Sequence, residues 1–332
     1  MANVEKQKIK IMKLYEILNM YSDESNPIST NEIISRLKDE GINCKRKALY
    51  DDIDTLNRYG YEIECVRKRQ NEYYILGRKF DIPELKILID AVQASNFITI
   101  RKSSELINKI ANLAGTFKGE VLTKNVLYQK NIKKTNEKIF YSIDAIHNAI
   151  SEGRKINFRY FDTAINGDVI YRRNGEPYII NPVKLTISDN QYYLICYDDK
   201  HASLTNYRVD RMDNVTVTDI PKSFYECEKE EFVEKYTEGL FQMFNSKGKK
   251  QKIDLKIKNN SAMVDIILDK FGKNIVVTKT GEDFFYIRVN VMPGPTFYSW
   301  LTTFKGDIRI NYPREIREEY IDFLKINLSS IE

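Results

Sequence analysis

Three groups of residues in this chain could do chemistry. The first is a run of strand-forming residues, Gln191-Tyr192-Tyr193-Leu194-Ile195-Cys196-Tyr197, with Arg208 and Arg211 a little further on. Arginine forks grip phosphate through paired hydrogen bonds, and tyrosine rings stack on bases, so the combination suits an anion or a nucleobase. The second group is Lys45-Arg46-Lys47 with Tyr50 one helical turn later. At the start of a helix such residues can reach base edges in a DNA groove. The third is Arg67-Lys68-Arg69-Gln70-Asn71, a basic turn suited to phosphate contact. Catalysis has far less to work with. The only histidines, His147 and His201, fall in separate elements, and G-x-S-x-G, P-loop and paired cysteine–histidine patterns are missing. No catalytic residue, metal ligand or cofactor is therefore expected. Asp81, Glu84 and Lys86 superficially match a nuclease D…E-x-K set, but all three crowd one helix start instead of adjacent strands around a metal.

The bulk of the sequence sets the frame for these groups. A chain of 332 residues exceeds one ordinary core, so two or three domains are expected. With 42% hydrophobic and 30% charged residues it reads as a globular protein. No apolar run approaches a membrane span, and Met1 to Lys13 lacks the apolar stretch of a signal peptide, so a cytoplasmic location and no membrane partner are expected. Cys44, Cys65, Cys196 and Cys227 are scattered and read as buried free thiols. A net charge of +5 permits a nucleic-acid partner, and the placement of the basic residues must decide.

Residues 1–78 read as three helices and a hairpin. Ile9, Met12, Leu14, Ile17 and Leu18 make one stripe, Ser29-Thr30-Asn31-Glu32 forms a capping box, and Gly41 ends the second helix. Asn43 can cap a third helix, Lys45 to Tyr59, whose Leu49, Ile53 and Leu56 point inward; Gly60 closes it, and Tyr61 to Leu76 alternates around the basic turn. This is the grammar of a winged helix-turn-helix, with Lys45, Arg46, Lys47 and Tyr50 on the reading helix and Lys68 and Arg69 at the wing tip. A merely solvated basic face is the plainer alternative. Asp51, Asp52 and Asp54 repel phosphate and should point away or pair with basic neighbours.

Residues 79–138 follow as a helical connector, then 139–222 as a helix and short strands. Residues 223–250 read as a charged linker ending in Ser246-Lys247-Gly248-Lys249-Lys250, a solvated tether. The last segment, 251–332, has the order strand, helix, strand, strand, helix, strand, helix, which suggests a ferredoxin-like sandwich with an added helix.

Asn181-Pro182-Val183-Lys184-Leu185, the Tyr192-Tyr193-Leu194 triplet and Asn206-Tyr207-Arg208-Val209-Asp210-Arg211-Met212 together resemble the WYL domain, a small Sm-like β-barrel of bacterial regulators. Here tyrosine stands where that family has the tryptophan of its name. The segment order resembles the family's usual one, from winged helix-turn-helix through barrel to C-terminal extension. The resemblance implies a multidomain α+β transcriptional regulator, a homodimer on double-stranded DNA, whose barrel senses a nucleotide or single-stranded oligonucleotide. It points to Tyr193, Arg208 and Arg211 as ligand contacts, with Tyr160 and Lys184 behind them. The alternatives are an accessory nucleic-acid-binding protein of a defence or RNA-guided system, a regulator sensing a non-nucleotide small molecule, or a barrel whose arginines merely make ordinary ion pairs.

Overall fold

The computed structural model describes residues 2–124, 126, 138–188, 190–223, 230–237, 250–273 and 275–330. The chain divides into two compact units, Met1–Glu137 and Lys138–Glu332. Cys227 and Ser246 to Lys249 lie outside the described residues.

The first unit runs α1 (Ala2–Tyr21), β1 (Ile28–Ser29), α2 (Thr30–Asp39), α3 (Arg46–Arg58), β2 (Ile63–Arg67) and β3 (Asn71–Ile75). Three more helices follow: α4 (Ile82–Ala94), α5 (Ile100–Asn112) and α6 (Thr116–Thr123). Leu14 and Leu18 of α1, Ile33 and Leu37 of α2, and Leu49, Ile53 and Leu56 of α3 share one core with Ile63, Tyr73 and Ile75. The strands pair antiparallel in the order β1-β3-β2. Half of the expected capping box forms. Ser29 accepts from the Glu32 amide at 3.2 Å, while the Glu32 carboxylate turns to Arg36 at 3.0 Å instead of back to the cap. Asn43 does not cap α3. That place falls to Lys45, extended at φ −89° and ψ 151°, which supplies no side-chain hydrogen bond.

In the connector, Asp81 and Glu84 form the capping box that opens α4, which is the ordinary use of a pair that superficially matched a nuclease set. Leu85 and Ile89 pack on Ile107, Ala111 and Leu122. One half-buried cation ties these helices to α1. Arg78 donates to Asn19 Oδ1 at 3.1 Å, to the Leu113 carbonyl at 3.3 Å and to the Ser22 carbonyl at 2.8 Å. Beside it Gly115 has φ +79°, and a Cβ there would lie 2.8 Å from the Asn19 carbonyl oxygen. Only glycine fits both the backbone region and the space.

The second unit opens with α7 (Lys138–Ser151), then β4 (Arg154–Thr163), β5 (Val169–Tyr171), a 3-10 turn at Arg172–Gly175, β6 (Tyr178–Ser188), β7 (Gln191–Asp198) and β8 (Ser203–Arg208). A second 3-10 turn, Val209–Arg211, leads into β9 (Met212–Pro221). The antiparallel order is β5-β4-β6-β7-β8, with β9 also on β4. Register shifts at Pro182/Lys184, Arg154/Ile156 and Asn157/Arg159 bend the strands. The expectation was a closed Sm-like barrel. Among the described residues no ladder joins β8 to β9, so the sheet is a curled half-barrel. Its concave side holds Ile156, Phe158, Tyr160, Tyr178, Ile180, Leu194 and Cys196, all buried. Strand β5 was not expected, because three residues beside a turn carry too little pattern.

The stretch 223–250 is more than a linker. It contains α8 (Glu230–Thr237), whose Val233 is 4% exposed in a cluster with Val183, Tyr193 and Ile195, flanked by Tyr197, Leu204 and Tyr236. A helix this short is stable only against a surface, so sequence alone could not separate it from a charged tether.

The C-terminal part follows as β10 (Gln251–Lys258), α9 (Ser261–Phe271), β11 (Val276–Thr280), β12 (Phe284–Val291), α10 (Pro295–Thr302), β13 (Ile308–Tyr312) and α11 (Arg314–Ser329). The sheet is antiparallel, ordered β11-β12-β10-β13. Ile253, Leu255, Ile257, Phe285, Ile287 and Val289 face Ile267, Phe297, Leu301 and Ile316 of the helices. Strand alternation therefore turns Lys256, Phe284, Tyr286 and Arg288 to the other side.

Among the described residues no helix is long and apolar enough to cross a membrane. Cys196 is buried and Cys44 half-buried, but Cys65 is exposed on β2, so the reading of buried thiols does not hold for it.

Gly115→Ala should destabilise the first unit by more than about 1 kcal/mol, because its φ and its contact both exclude a side chain. Urea unfolding followed by circular dichroism measures this; a shift of a few tenths or less would remove the Arg78–Gly115 joint from the account.

Candidate nucleic-acid and anion interface

In the first unit the basic residues are arranged by the α3 core stripe. With Leu49, Ile53 and Leu56 buried, Lys45, Arg46 and Lys47 project exposed from the helix start. Arg46 donates to Asn31 Oδ1 of α2 at 2.8 Å. Neither Lys45 nor Lys47 has a carboxylate partner among the described residues. Tyr50 is half-buried and packs its ring 6.3 Å from Tyr73, so its body belongs to the core. The α3 amides carry no side-chain cap, and an open helix start favours an approaching anion. Asp52 turns away and pairs with Lys10 at 2.7 Å; Asp51 and Asp54 stay exposed.

At the hairpin tip Lys68 is tied to Glu72 at 2.7 Å, which partly cancels it. Arg69 and its neighbour Arg67 are exposed and have no carboxylate partner among the described residues. Arg67 stands in the same basic turn but was not picked out among the contacts; its place at the end of β2, next to the tip, is what selects it.

The curled sheet divides its expected ligand residues between two faces. Tyr160 lies on the concave side, in a layer with Phe158, Tyr178 and Tyr207: Phe158 stacks on Tyr178 at 5.4 Å, and Tyr207 meets Tyr160 edge-on at 5.0 Å. Burial pushes the Tyr160 and Tyr207 phenols up, so both stay neutral at physiological pH. The Tyr160 hydroxyl accepts from the Arg208 amide at 3.2 Å. Tyr193 faces the other way. Paired across strands with Arg208, it is 6% exposed beneath α8, so its ring is not open to a ligand while that helix is docked. Lys184 is exposed at the bulge of β6, apart from the aromatic layer.

The arginines sit at the rim. Arg208 is half-buried and holds Asp210 through Nε at 3.1 Å and Nη2 at 2.9 Å. Arg211 reaches Asp162 at 3.3 Å, and Arg172 grips the same carboxylate at 2.7 and 2.9 Å. The hydrogen bonds from Arg172 hold the Asp162 carboxyl below its usual range. Arg172 also lies 5.2 Å from the Tyr160 ring centre and Arg173 4.0 Å from that of Tyr178. Arg173 has no carboxylate partner among the described residues. Arg172 and Arg173 were not anticipated as contacts, although Arg172-Arg173-Asn174-Gly175 carries a turn signal that places two cations at a loop tip. Chemically, two guanidinium groups share one carboxylate and a third, that of Arg173, rests on a ring at the edge of the same aromatic layer, which suits a phosphate-bearing ligand.

A small curled antiparallel sheet with a basic, aromatic rim is thus the class of structure the second unit presents. Residues 142–217, which contain nearly all of it, match the family model described as WYL domain; the chain carries a WYL domain there. Among solved structures it is similar to the proteasome accessory factor B/C (PafBC) of Arthrobacter aurescens, 16% identical, over 97% of this chain and 48% of that one, with a TM-score of 0.29. It is also similar to a CRISPR Cas-related protein, 11% identical, over 99% of this chain and 85% of that one, with a TM-score of 0.37. The chain therefore spans about half the length of PafBC. The comparison with curated proteins gave no match.

Asp162→Asn should tighten pyrophosphate binding by up to about fivefold, since partly exposed pairs of this kind are each worth about 0.2–1 kcal/mol. Isothermal calorimetry is the check, and unchanged or weaker binding would remove the rim as an anion site.

Proposed function

We propose that this chain is a DNA-binding transcriptional regulator whose activity responds to a nucleotide or short single-stranded oligonucleotide. In this reading the first unit is a winged helix-turn-helix, α3 its reading helix and the β2–β3 hairpin its wing. The C-terminal part is a ferredoxin-like sandwich, the protein acts as a homodimer in the cytoplasm, and it catalyses no reaction. The observation that carries the reading is the start of α3. Three exposed cations and an uncapped helix end stand together there, while the buried face of the same helix is fully apolar. A solvated basic face needs no such ordering. The WYL domain supports the second half of the proposal, with ligand phosphates taken by Arg173 and Arg211 at the rim and bases lying toward Tyr207. Tyr193 and Arg208 then act indirectly, through α8 and the Asp210 pair.

Arg46→Ala with Lys47→Ala should abolish sequence-specific duplex binding, each base contact being worth about 1–3 kcal/mol. Arg67→Ala with Arg69→Ala should weaken all duplexes alike and flatten the salt slope by roughly 0.9 per lost phosphate contact. Selection of bound sites from random DNA, then footprinting at several salt concentrations, tests both; a dimer should protect two half-sites about one helical turn apart. Unaltered site preference in the Arg46/Lys47 variant would sink the assignment.

Arg173→Ala with Arg211→Ala should remove the ligand response while duplex binding without ligand survives. Arg208 is the poorer choice for this test, because its loss strips the Asp210 carboxylate, 7% exposed, of its arginine. The coupling expected between ligand and DNA is about 1–3 kcal/mol. Calorimetry against a panel of nucleotides and oligonucleotides, repeated with operator DNA, measures it. A variant responding like the wild type would leave the curled sheet as a structural spacer.

A further inference from the structure

The helices α9, α10 and α11 cover one side of the C-terminal sheet, and the other side carries an ordered set of side chains. Across the four strands the register aligns Arg309 of β13 with Lys256 of β10, Lys256 with Tyr286 of β12, and Tyr286 with Lys279 of β11. Two residue pairs along, on the same face, Phe284 lies opposite Lys258. The Lys256 ammonium sits 4.1 Å from the Phe284 ring centre and 6.0 Å from that of Tyr286, and Lys279 lies 5.9 Å from Tyr286. Both rings are half-buried at their edges and are not part of the apolar core on the helix side.

The charges on this face are uneven. The only carboxylate the four strands carry there is Asp254, and Arg288 holds it at 2.6 and 2.9 Å. Lys258 is answered by Asp307 at 3.6 Å. Lys252, Lys256, Lys279 and Arg309 have no carboxylate partner among the described residues. A face of this composition repels a second copy of itself and a basic partner alike. Its aromatic pair at positions i and i+2 of a central strand, flanked by unpaired cations, matches what a strand of stacked bases and phosphates requires. The lysines that now rest on the rings have flexible stems, so an incoming base can displace them toward its own phosphate. At about 4.8 Å between strands the row is roughly 14 Å wide, room for two or three nucleotides.

We propose that this open sheet face binds single-stranded nucleic acid, with Tyr286 and Phe284 stacking on bases and Lys256, Lys279 and Arg309 taking phosphates. The site lies in the C-terminal part and uses none of the residues assigned to α3, to the hairpin tip or to the rim of the curled sheet.

The test uses the full chain and fluorescein-labelled 12-mers of oligo-dT and oligo-rU, with binding read by anisotropy at several salt concentrations. The wild type should bind, and the ratio of the two affinities reports whether DNA or RNA is preferred. Phe284→Leu with Tyr286→Leu should weaken binding about five- to 150-fold per ring, whereas Tyr286→Phe keeps it. Lys256→Gln with Arg309→Gln should weaken it and flatten the salt slope by roughly 0.7 per lost contact. Should the leucine variant fail to fold, photocrosslinking of 5-iodouracil oligonucleotides to the wild type gives the same answer, with adducts expected at Phe284 or Tyr286. No single-strand binding by the wild type overturns the proposal. So does binding that is unchanged in the sheet variants, is lost only in Arg173→Ala with Arg211→Ala, or crosslinks only within residues 142–217. Duplex binding through Arg46 and Lys47 is measured in the same proteins, so failure of the regulator reading registers separately.

Discussion

Strand alternation is the constraint on which both sheets of the second unit depend. Successive side chains leave a strand on opposite faces. In the curled sheet this sends Phe158, Tyr160 and Tyr207 into one aromatic layer, and it sends Tyr193 and Arg208 to the face that α8 covers. Chemistry is left to the ends of the strands and the turns between them. Arg172 and Arg173 on one turn and Arg211 on another meet at Asp162 and the rims of Tyr160 and Tyr178. In the C-terminal sheet the same alternation puts Phe285, Ile287 and Val289 inward and Phe284, Tyr286 and Arg288 outward. There the outer face has no helix over it among the described residues, so its aromatic and basic side chains remain usable.

How much of this was legible in the sequence depended on what each element leans on. Helix α3 reads directly, because Leu49, Ile53 and Leu56 carry its period and the cations fall outside it. The seven C-terminal elements read in their observed order because each has its own pattern and a glycine, asparagine or proline at a joint. What did not read was anything settled by a neighbour. Tyr193 resembles its flanking tyrosines in sequence, and only the docking of Val233 and Tyr236 makes it core. Asn43 is the better capping residue by type, yet the chain turns into the helix two residues later, at Lys45. The Arg172-Arg173 turn gives no periodic signal, and its value comes from rings supplied by β4 and β6.

The acids explain why so modest a net charge leaves surfaces of different character. In the curled sheet Asp162, Asp210 and Asp213 each hold one or more basic side chains, Asp213 taking Arg159 at 2.8 Å and Lys138 at 3.3 Å. These arginines are oriented before any ligand arrives, which lowers the ordering cost of binding. A ligand must also displace a carboxylate to engage Arg172 or Arg211, which favours dense charge such as a phosphate over a neutral molecule. The start of α3 and the outer C-terminal face work differently. Their cations are mostly unanswered and lie on exposed, flexible side chains, so attraction there is long-ranged, strongly salt-dependent and weakly selective on its own. On the proposed reading, selectivity at α3 comes from Arg46, whose guanidinium Asn31 holds at 2.8 Å, and at the outer sheet from the fixed spacing of two rings on one strand. On the proposed reading a single chain combines a selective, pre-paired anion site with two broader surfaces, because carboxylates stand against the arginines of one and are withheld from most of the cations of the others.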